Sequence, residues 1–484
     1  MADMNHQTLL LSAVFVPLLG SFLVPWAGRL SLRLRNWLSL GLIAAPFLIS
    51  LKLIGPVLSQ GAVAVSYPAV FGFNLSLAAD GLAVFMACVS SLISTVVVFY
   101  SFSYISHYEN QNEYYCMVVL FLGAMMGLVF SANLIWLYLF WEITAIASWR
   151  LIGFFREKYQ VERADKAFLV TAFGALAMLI GFVMIASQVG SFELAAIKDF
   201  FKVNTLPGVA VGLILLGILS KSATLPFHTW LPDAGVAPSP VTALLHAAVL
   251  VKIGVYVFAR LFIATLPLDI FWQTAVPIIA GISMLVSGAA AMLETDLKRI
   301  IAYSTVSQIG FIFFALAIGN VMGVAGGLLY ILMHGLAKGG LFLCAGIIEQ
   351  NTKTKDITKM GGLISAMPVT AVSFLFCAFS VMGIPPFGGF FSKYMVFAGG
   401  IQSGHLWITA MFLFGAFLTI LYLFRVFHLV FLGEAQIAGV KEKSPGMAAS
   451  VAVLAGLSLL AGILISYPAD LVQKIVGQML GVAL

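Results

Sequence analysis

Long apolar stretches separated by short polar connections recur from one end of the chain to the other. A helix that spans a bilayer needs about 20 mostly apolar residues, and about fourteen segments of this kind are present. Their centres fall near residues 16, 45, 92, 122, 143, 177, 216, 252, 281, 309, 335, 384, 419 and 457. The pattern predicts an all-α polytopic membrane protein, with no strand-like alternation and no long polar domain between the spans.

Composition indicates the same class. The 484 residues are 62% hydrophobic and 9% charged, and the mean hydropathy is +1.07. Such values are typical of integral membrane proteins. The four cysteines lie singly in apolar runs without C-x-x-C spacing: Cys88, Cys116, Cys344 and Cys377. We therefore expect no metal cluster, disulfide framework or other cofactor in this chain.

Lysine and arginine are distributed unequally between alternate loops. Most lie after odd-numbered segments: Arg29, Arg33, Arg35, Arg156, Lys158, Arg163, Lys166, Lys298, Arg299, Lys353, Lys355, Lys359, Lys441 and Lys443. Loops after even-numbered segments contain only Lys52, Lys198 and Lys202, with Arg260 at a helix edge. The positive-inside rule then predicts cytoplasmic odd loops and both termini outside the cytoplasm. We expect a multi-pass protein of the cell (inner) membrane.

Two lysines stand out in the stretch from Leu219 to Arg260, where two apolar segments are joined by a proline-rich connection. A lysine at the centre of a membrane helix costs roughly 2.5 to 3.5 kcal/mol, so it must face protein or water. Lys221 lies near a helix end, so snorkelling to the interface is the alternative for it. Lys252 has apolar residues on both sides, which makes that alternative much weaker.

Few other ionisable residues lie within apolar segments. Glu142 is the only carboxylate deep in the predicted bilayer, and we interpret it as an ion-pair partner for a buried lysine. His334 and Lys338 are four residues apart, hence on one helix face. His246 precedes Lys252 on its segment, and Lys393 follows a proline-interrupted stretch.

A short motif occurs in both the seventh and the twelfth segment. Five residues separate Ser220 from Pro226–Phe227, and five likewise separate Ser380 from Pro386–Phe387. Proline removes backbone hydrogen bonds, which a membrane helix tolerates only where protein or water compensates. The motif favours an internal repeat with a midplane ion path, although coincidence between two proline-containing helices is the alternative.

Several runs together carry a family resemblance. They are Trp141–Glu142, Lys221–Ala223, Pro226–Pro232, Pro238–Lys252, Asp296–Gly310, His334–Lys338 and Gly383–Lys393. In these runs the chain resembles the antiporter-like subunits of respiratory complex I, of Mrp cation/proton antiporters and of energy-converting membrane hydrogenases. The resemblance extends from about residue 80 to about residue 430.

The resemblance implies a fold of fourteen helices. Helices four to eight and nine to thirteen would form two inverted five-helix repeats, with the seventh and twelfth helices broken. The chain would then divide into residues 1–110 (helices one to three), 111–265 (first repeat), 266–435 (second repeat) and 436–484 (helix fourteen and tail).

The resemblance also implies a proton relay. Its residues would be Glu142, Lys221, Lys252, His246, His334, Lys338 and Lys393. Our hypothesis is that separation of a Glu142–Lys221 pair drives the Lys221 proton toward Lys252, by way of water and His246. From there it would pass His334 and Lys338 to reach Lys393.

Two further residues keep open interpretations. Arg150 stands where family members more often have an apolar or aromatic residue, and we interpret it as a helix-end cation. A role opposite Glu157 or an anionic lipid is its alternative. For Asp80 we favour an N-cap over an ion entrance, because aspartate suits that position.

The main functional hypothesis is a proton-translocating subunit of a redox-driven complex, hydrogenase-like or NADH dehydrogenase-like, with no redox chemistry of its own. Iron–sulfur clusters are expected only in partner subunits. The expected partners are other membrane subunits, including further antiporter-like ones, a peripheral redox arm, lipids, and H⁺ with or without Na⁺, but no nucleic acid. The alternatives are a subunit of an Mrp-type Na⁺/H⁺ antiporter and a purely structural membrane subunit.

Overall fold

The computed structural model describes residues 2–69, 72–437 and 439–482. Within these ranges the chain forms twenty-one α-helices and one two-stranded hairpin. The elements of the N-terminal region and first repeat are α1 (Ala2–Gly20), α2 (Val24–Leu30), α3 (Leu32–Gln60), β1 (Val63–Pro68), β2 (Asn74–Ala79), α4 (Gly81–Tyr104), α5 (Gln111–Phe130), α6 (Leu134–Ile152), α7 (Lys158–Val189), α8 (Leu194–Phe201), α9 (Gly208–Lys221), α10 (Trp230–Asp233), α11 (Ser239–Ala243) and α12 (Leu250–Phe258). The remaining helices are α13 (Ile270–Leu293), α14 (Leu297–Ala317), α15 (Val321–Thr352), α16 (Leu363–Ala366), α17 (Pro368–Met382), α18 (Gly388–Gln402), α19 (Leu406–Phe431), α20 (Pro445–Ile463) and α21 (Ser466–Leu480).

Twelve helical stretches of the described chain are long and apolar enough to cross a membrane. The first joins α1 to α2. Another, Ser239–Ile263, joins α11 to α12 through one π-helical turn and ends in a second one after α12. Two shorter apolar helices, α9 and α17, take the seventh and twelfth places in chain order. The fourteen-helix prediction, with the seventh and twelfth helices broken, is confirmed.

Proline and glycine end the two broken helices. After Lys221, the last residue of α9, Pro226 cannot donate a backbone hydrogen bond, and short turns lead on to α11. Helix α17 ends at Met382, where Gly383 takes a left-handed conformation with a φ of 82°. Glycine is the usual residue at such a helix end, because it has no Cβ to clash.

The two five-helix repeats share a pairing of backbone segments. In each repeat, the segment before the second helix exchanges two backbone hydrogen bonds with the segment after the third helix. In the first repeat these bonds are Leu134 N–Phe192 O and Leu194 N–Ala132 O, at 2.9 Å each. In the second repeat they are Leu297 N–Lys355 O at 2.8 Å and Ile357 N–Thr295 O at 3.0 Å. The first pairing adjoins the β-hairpin through a bridge between Leu77 and Ser131. Five spans, an odd number, separate the two pairings, so the second lies on the opposite side of the membrane. The repeats are therefore inverted.

Burial is concentrated in the eighth, tenth and eleventh spans. The most apolar window of Ser239–Ile263 is 100% buried inside the protein, and those of α14 and α15 are 94% buried, whereas α3 and α7 reach only 28% and 39%. Polar side chains on the three central helices thus face protein rather than lipid.

Two elements differ from the sequence expectation. The β1–β2 hairpin pairs Val63 with Ala79 through to Pro68 with Asn74, although we expected no strands. Its six-residue strands are too short for alternation to stand out beside the long apolar runs. Helix α21 occupies the predicted tail and buries one apolar stripe, while its polar residues make it unlike a span.

We predict that Gly389→Ala destabilises the protein. A Cβ at Gly389, in the first turn of α18, would come within 1.7 Å of the Ser380 carbonyl oxygen in α17. Because backbone must shift to relieve this clash, we expect a loss of about 1–3 kcal/mol in the free energy of unfolding. Thermal unfolding in detergent measures it.

The matched control is Gly456→Ala in α20, where no atom lies within 4 Å of the added Cβ. Equal unfolding temperatures for the two variants would contradict the close packing at the break.

Candidate functional site

The predicted lysines and histidines come together inside the protein. The fully buried members, each 0% exposed, are Lys221, His246, Lys252, His334 and Lys338. Lys393 is 3% exposed. This burial excludes snorkelling for Lys221, because a snorkelling amine reaches the surface.

Lys252 and His334 are in direct contact. The Lys252 Nζ atom lies 2.8 Å from His334 Nδ1, which joins the eighth span to α15 and hence one repeat to the other. A protonated lysine would donate to the ring nitrogen, and a neutral lysine would accept from it. The contact therefore suits a proton that moves between the two groups. His334 Nε2 is buried without a protein partner.

Lys338, on α15, is part of a polar network that joins α14, α15 and α19. Its Nζ atom donates to Ser304 Oγ at 2.6 Å and to the Ile301 carbonyl oxygen at 3.1 Å. The Tyr422 hydroxyl donates to the same Ser304 Oγ at 2.9 Å. Gln308 donates to Tyr422 at 3.3 Å and accepts from the Tyr330 hydroxyl.

This network extends from Lys338 toward Lys393. Lys393 Nζ lies 5.5 Å from the centre of the Tyr330 ring and 4.6 Å from that of Phe311. The same atom donates to the Val381 carbonyl oxygen at 2.7 Å, across the break between α17 and α18. The ammonium thus satisfies a carbonyl that the interrupted helix leaves without an amide partner.

Lys221 and Glu142 are neighbours but do not form the ion pair expected from the sequence. Lys221 Nζ lies 3.4 Å from the Trp141 carbonyl oxygen and 5.2 Å from the centre of the Trp141 ring. Both residues lie in the described part of the chain, and no contact within 4.0 Å joins Lys221 to Glu142. The backbone carbonyl and the ring of Trp141 take the place of the carboxylate, and Glu142 Oε1 is buried without a protein partner.

His246 lies among apolar side chains on the π-helical turn Leu244–Ala248. Its ring centre is 4.3 Å from that of Phe342, and both ring nitrogens are buried without protein partners. Turns of this kind occur frequently at functional sites, because they widen the helix locally. The structure therefore brings His246 into the buried region without direct contact to a lysine.

The buried amines have neutral partners only. Among the described residues, no ion pair involves Lys221, Lys252, Lys338 or Lys393. A buried charge without a counter-ion is strongly unfavourable, and like charges at short range add repulsion. Simultaneous protonation of all four lysines is therefore energetically unfavourable. These lysines, together with His246 and His334, are called the buried row below, and such an arrangement is suited to passing protons from one group to the next.

Asp80 has both a capping and a pairing role. Its Oδ1 atom accepts from the Ala83 backbone N–H at 2.9 Å, which confirms the predicted N-cap of α4. The carboxylate also binds both terminal nitrogens of Arg260. Burial opposes ionisation of this carboxyl, but the adjacent guanidinium outweighs it and lowers the pKa of Asp80 below its usual value.

Arg150 has a different partner from those considered from the sequence. It binds the Glu113 carboxylate at the start of α5, and Arg156 binds the same carboxylate. Glu113 is 37 residues away from Arg150 in the chain, so sequence spacing gave no indication of the pair.

Asp233 links the two repeats at the side opposite the hairpin. Its carboxylate binds Arg163 at 2.8 Å and Lys166 at 2.7 Å on α7, and Arg299 at 2.9 Å on α14. One acid surrounded by three cations fastens the first repeat to the second and leaves a net positive charge at that end.

Comparison with known proteins identifies the family. The family model described as "NADH:quinone oxidoreductase/Mrp antiporter, TM" matches residues 131–419, more than half of the chain. The chain belongs to this family. A second model, described as "NADH-Ubiquinone oxidoreductase (complex I), chain 5 N-terminus", matches residues 67–115 of this family member. The resemblance stated from the sequence is confirmed.

Curated relatives of this family member are longer than the chain. It is 33% identical over 504 aligned positions to "Na(+)/H(+) antiporter subunit A1" of Staphylococcus haemolyticus (strain JCSC1435), covering 97% of the chain and 62% of the relative. To subunit A1 of Staphylococcus aureus it is 35% identical over 410 positions, covering 80% of the chain and 51% of the relative. The chain thus spans less than two thirds of these relatives.

Two solved structures share the fold over nearly the full length. A chain of the Mrp complex from Dietzia sp. DQ12-45-1b matches with a TM-score of 0.88 at 22% identity, with 98% of each chain covered. A chain of the membrane-bound sulfane sulfur reductase, an archaeal respiratory membrane complex, matches with a TM-score of 0.88 at 23% identity and 97% coverage of each. At this identity the matches establish the fold of the family member.

We predict that Ser304→Ala destabilises the protein, because Lys338 then keeps only the Ile301 carbonyl as a partner. A hydrogen bond to a charged group is worth about 1.5–3 kcal/mol, and we expect a loss of that size in the free energy of unfolding. The control is Ser50→Ala, which removes a buried hydroxyl without a protein partner. Equal losses in the two variants would show that Lys338 does not depend on this contact.

Proposed function

We propose that this chain is a proton-translocating, antiporter-like subunit of a multi-subunit ion-pumping complex in the cell membrane. The observation that carries the proposal is the buried row of amines and imidazoles, joined at its centre by the 2.8 Å contact between Lys252 and His334. Intramembrane ionisable groups of this kind mark ion paths and proton relays.

The proposed path has two well-connected parts. One part leads from Lys252, on the eighth span, to His334 in the second repeat and on to Lys338, and then through the Ser304, Tyr422, Gln308 and Tyr330 network toward Lys393. The other part lies in the first repeat. There Ser222, the residue after Lys221, packs against Gly254 of the eighth span, which is two residues after Lys252. A Cβ at Gly254 would come within 2.0 Å of Ser222 Oγ. This hydroxyl is buried without a protein partner, so it offers a water site between the two lysines.

Glu142 controls the proton on Lys221 in this proposal. A carboxylate stabilises a nearby ammonium, and the attraction weakens as the two groups separate. Movement of Glu142 away from Lys221 would favour transfer of the proton toward Lys252. His246, with two unpaired ring nitrogens, would carry it over the remaining gap together with water.

Under both transport hypotheses the energy comes from outside this chain, either from partner subunits or from a second ion gradient. Moving one charge against 100 mV costs about 2.3 kcal/mol, which a relay alone does not provide. In a redox-driven complex, electron transfer through iron–sulfur clusters of a partner arm would supply it. The relatives named Na⁺/H⁺ antiporter subunit A1 favour exchange in an Mrp-type complex as the second candidate.

We predict that Lys252→Met abolishes proton transport while the complex still assembles. The side chain is a direct member of the relay, so we expect the rate to fall by roughly 10²-fold or more, as for other positioned proton-transfer groups. Inverted membrane vesicles with a pH-sensitive dye measure the rate. The control Lys52→Met changes an exposed lysine of α3. Full transport by assembled Lys252→Met would leave only a structural role for the chain.

The same vesicles separate the two energy sources. Proton movement driven by a sodium gradient, with small Mrp-type subunits in the purified complex, identifies exchange. Movement that depends on an electron donor, with iron–sulfur subunits in the complex, identifies redox coupling.

We also propose an orientation. The side opposite the hairpin carries the lysine- and arginine-rich loops, so it would be cytoplasmic and both termini would lie outside. A membrane-impermeant maleimide applied to intact cells should label Ala64→Cys on the hairpin and leave Lys441→Cys unlabelled, since both positions are exposed. The reverse labelling would overturn the orientation.

A further inference from the structure

One face of the eighth span carries three polar residues between the buried row and the hairpin side. Lys252, Tyr256 and Arg260 follow one another at four-residue spacing and therefore lie on one helix face. Tyr256 is 0% exposed and Arg260 is 8% exposed. From Lys252 to Arg260 the helix rises about 12 Å, which is most of the distance from the midplane to the edge of a hydrocarbon core.

Arg260 lies between a hydroxyl and a carboxylate. Its Nε atom donates to the Tyr256 hydroxyl oxygen at 3.0 Å, and its two terminal nitrogens bind the Asp80 carboxylate, Nη2 with Oδ1 at 2.7 Å. The Tyr256 hydroxyl donates to the Val129 carbonyl oxygen. Both the proton and one lone pair of this hydroxyl are thus engaged while the ion pair is closed.

A cavity opens on the outer side of the pair. It has a volume of about 540 Å³, and its polar lining includes Asp80, Lys198, Arg260, Thr265 and Gln478. The side chain of Asp80 is one-third exposed there, whereas Tyr256 is fully buried behind Arg260. Lys198 donates to the Ala264 carbonyl oxygen, so this second cation of the cavity is not part of the pair. The guanidinium therefore separates the cavity from Tyr256.

The backbone around Arg260 is a π-helical turn, Ala259–Ile263. The Ala264 N–H bonds to the Ala259 carbonyl at 3.0 Å, and the Leu266 N–H to that of Leu261 at 2.6 Å, five residues back in each case. A regular α-helix can hold an arginine as well, so the arginine alone does not explain the π-helical turn. Turns of this kind occur frequently at functional sites.

We propose that the Asp80–Arg260 ion pair, together with the Tyr256 hydroxyl, gates a proton path between Lys252 and the cavity on the hairpin side. The inference rests on the proposed proton-relay function and adds an exit to it. When the pair opens, the Tyr256 hydroxyl is released from Arg260. It accepts a proton from the Lys252 side through water and gives its own proton to water on the cavity side. Arg260 stays protonated throughout and repels a proton from the closed path.

A fastening between α4 and the eighth span is the simpler role for the same ion pair. Asp80→Asn separates the two roles, because the amide oxygen still caps α4 through the Ala83 N–H while the negative charge is lost. If the ion pair only fastens the two helices, Asp80→Asn weakens assembly at most and causes no proton leak that depends on Lys252.

The experiment uses the complete complex, purified with the subunits that accompany this chain and reconstituted in liposomes that contain a pH-sensitive dye. A pH step is imposed with the membrane potential clamped and with no sodium gradient or electron donor. We expect the leak of the Asp80→Asn complex to rise roughly tenfold over wild type, because the closed state loses its ion pair. Lys198→Gln, in the same cavity, should leave the leak unchanged.

One double variant and the single variants decide the interpretation. In Asp80→Asn combined with Lys252→Met, the leak should return to the wild-type level; a leak that persists runs by another route and overturns the gate. An assembled Asp80→Asn complex without added leak also overturns it. Failure of the relay itself would be recognised separately, as full coupled transport by Lys252→Met alone.

Tyr256→Phe gives an independent test that keeps the ring and both charged partners. We expect coupled transport to fall roughly 10²-fold, at the lower end of the range for a lost proton-transfer group, with the passive leak at the wild-type level. Unchanged coupled transport in this variant would exclude the hydroxyl from the path and overturn the proposal.

Discussion

The structure depends on one constraint, which is the unfavourable free energy of an ammonium group inside an apolar helical bundle. Four lysines are almost completely buried, and each is met by a neutral acceptor instead of a carboxylate. A carboxylate partner would hold the charge permanently in place, whereas a carbonyl, hydroxyl or imidazole stabilises it only in part. Each lysine is therefore held without a fixed counter-ion, and its charge is stabilised only in part.

The broken helices provide some of these acceptors. Where α17 stops, the Val381 carbonyl has no following amide and is satisfied by Lys393. Where α9 stops, the Trp230 indole N–H satisfies the Ser220 carbonyl at 3.0 Å, immediately before Lys221. A membrane interior tolerates such interruptions only where side chains complete the hydrogen bonding. Because the repeats are inverted, the two interrupted helices enter the core from opposite sides.

The sequence predicted the elements of the fold more completely than the contacts within the site. Hydropathy defined the spans, and Pro226 and Pro386 indicated the breaks, because both signals are local. Burial of Lys252 also followed from its apolar neighbours. In contrast, the Lys252–His334 contact joins residues 82 positions apart, and the Asp80–Arg260 pair joins residues 180 apart. No local pattern encodes such distances.

The hydroxyl and amide groups around Lys338 were also not predicted from the sequence. Ser304 and Gln308 lie within the matched run Asp296–Gly310, but nothing in that run marks them as partners of a lysine, and no local pattern marks Tyr422. Serine and tyrosine are common in membrane helices, so only their convergence on Lys338 shows a role. A polar stripe on an otherwise apolar helix, as in α14, was the signal that could have identified the first two. Glu142 is the reverse case. The sequence correctly identified it as an isolated acid, but the expected direct ion pair with Lys221 does not occur among the described residues.

The central claim is that the buried amines form one hydrated line. The most direct measurement is a map of the intact complex at a resolution that shows ordered water. The account predicts water beside Ser222 Oγ, both nitrogens of His246 and His334 Nε2, bridging Lys221 to Lys252 and continuing toward Lys338. Dry apolar packing at these positions, with the lysines separated by side chains that neither donate nor accept hydrogen bonds, would contradict it.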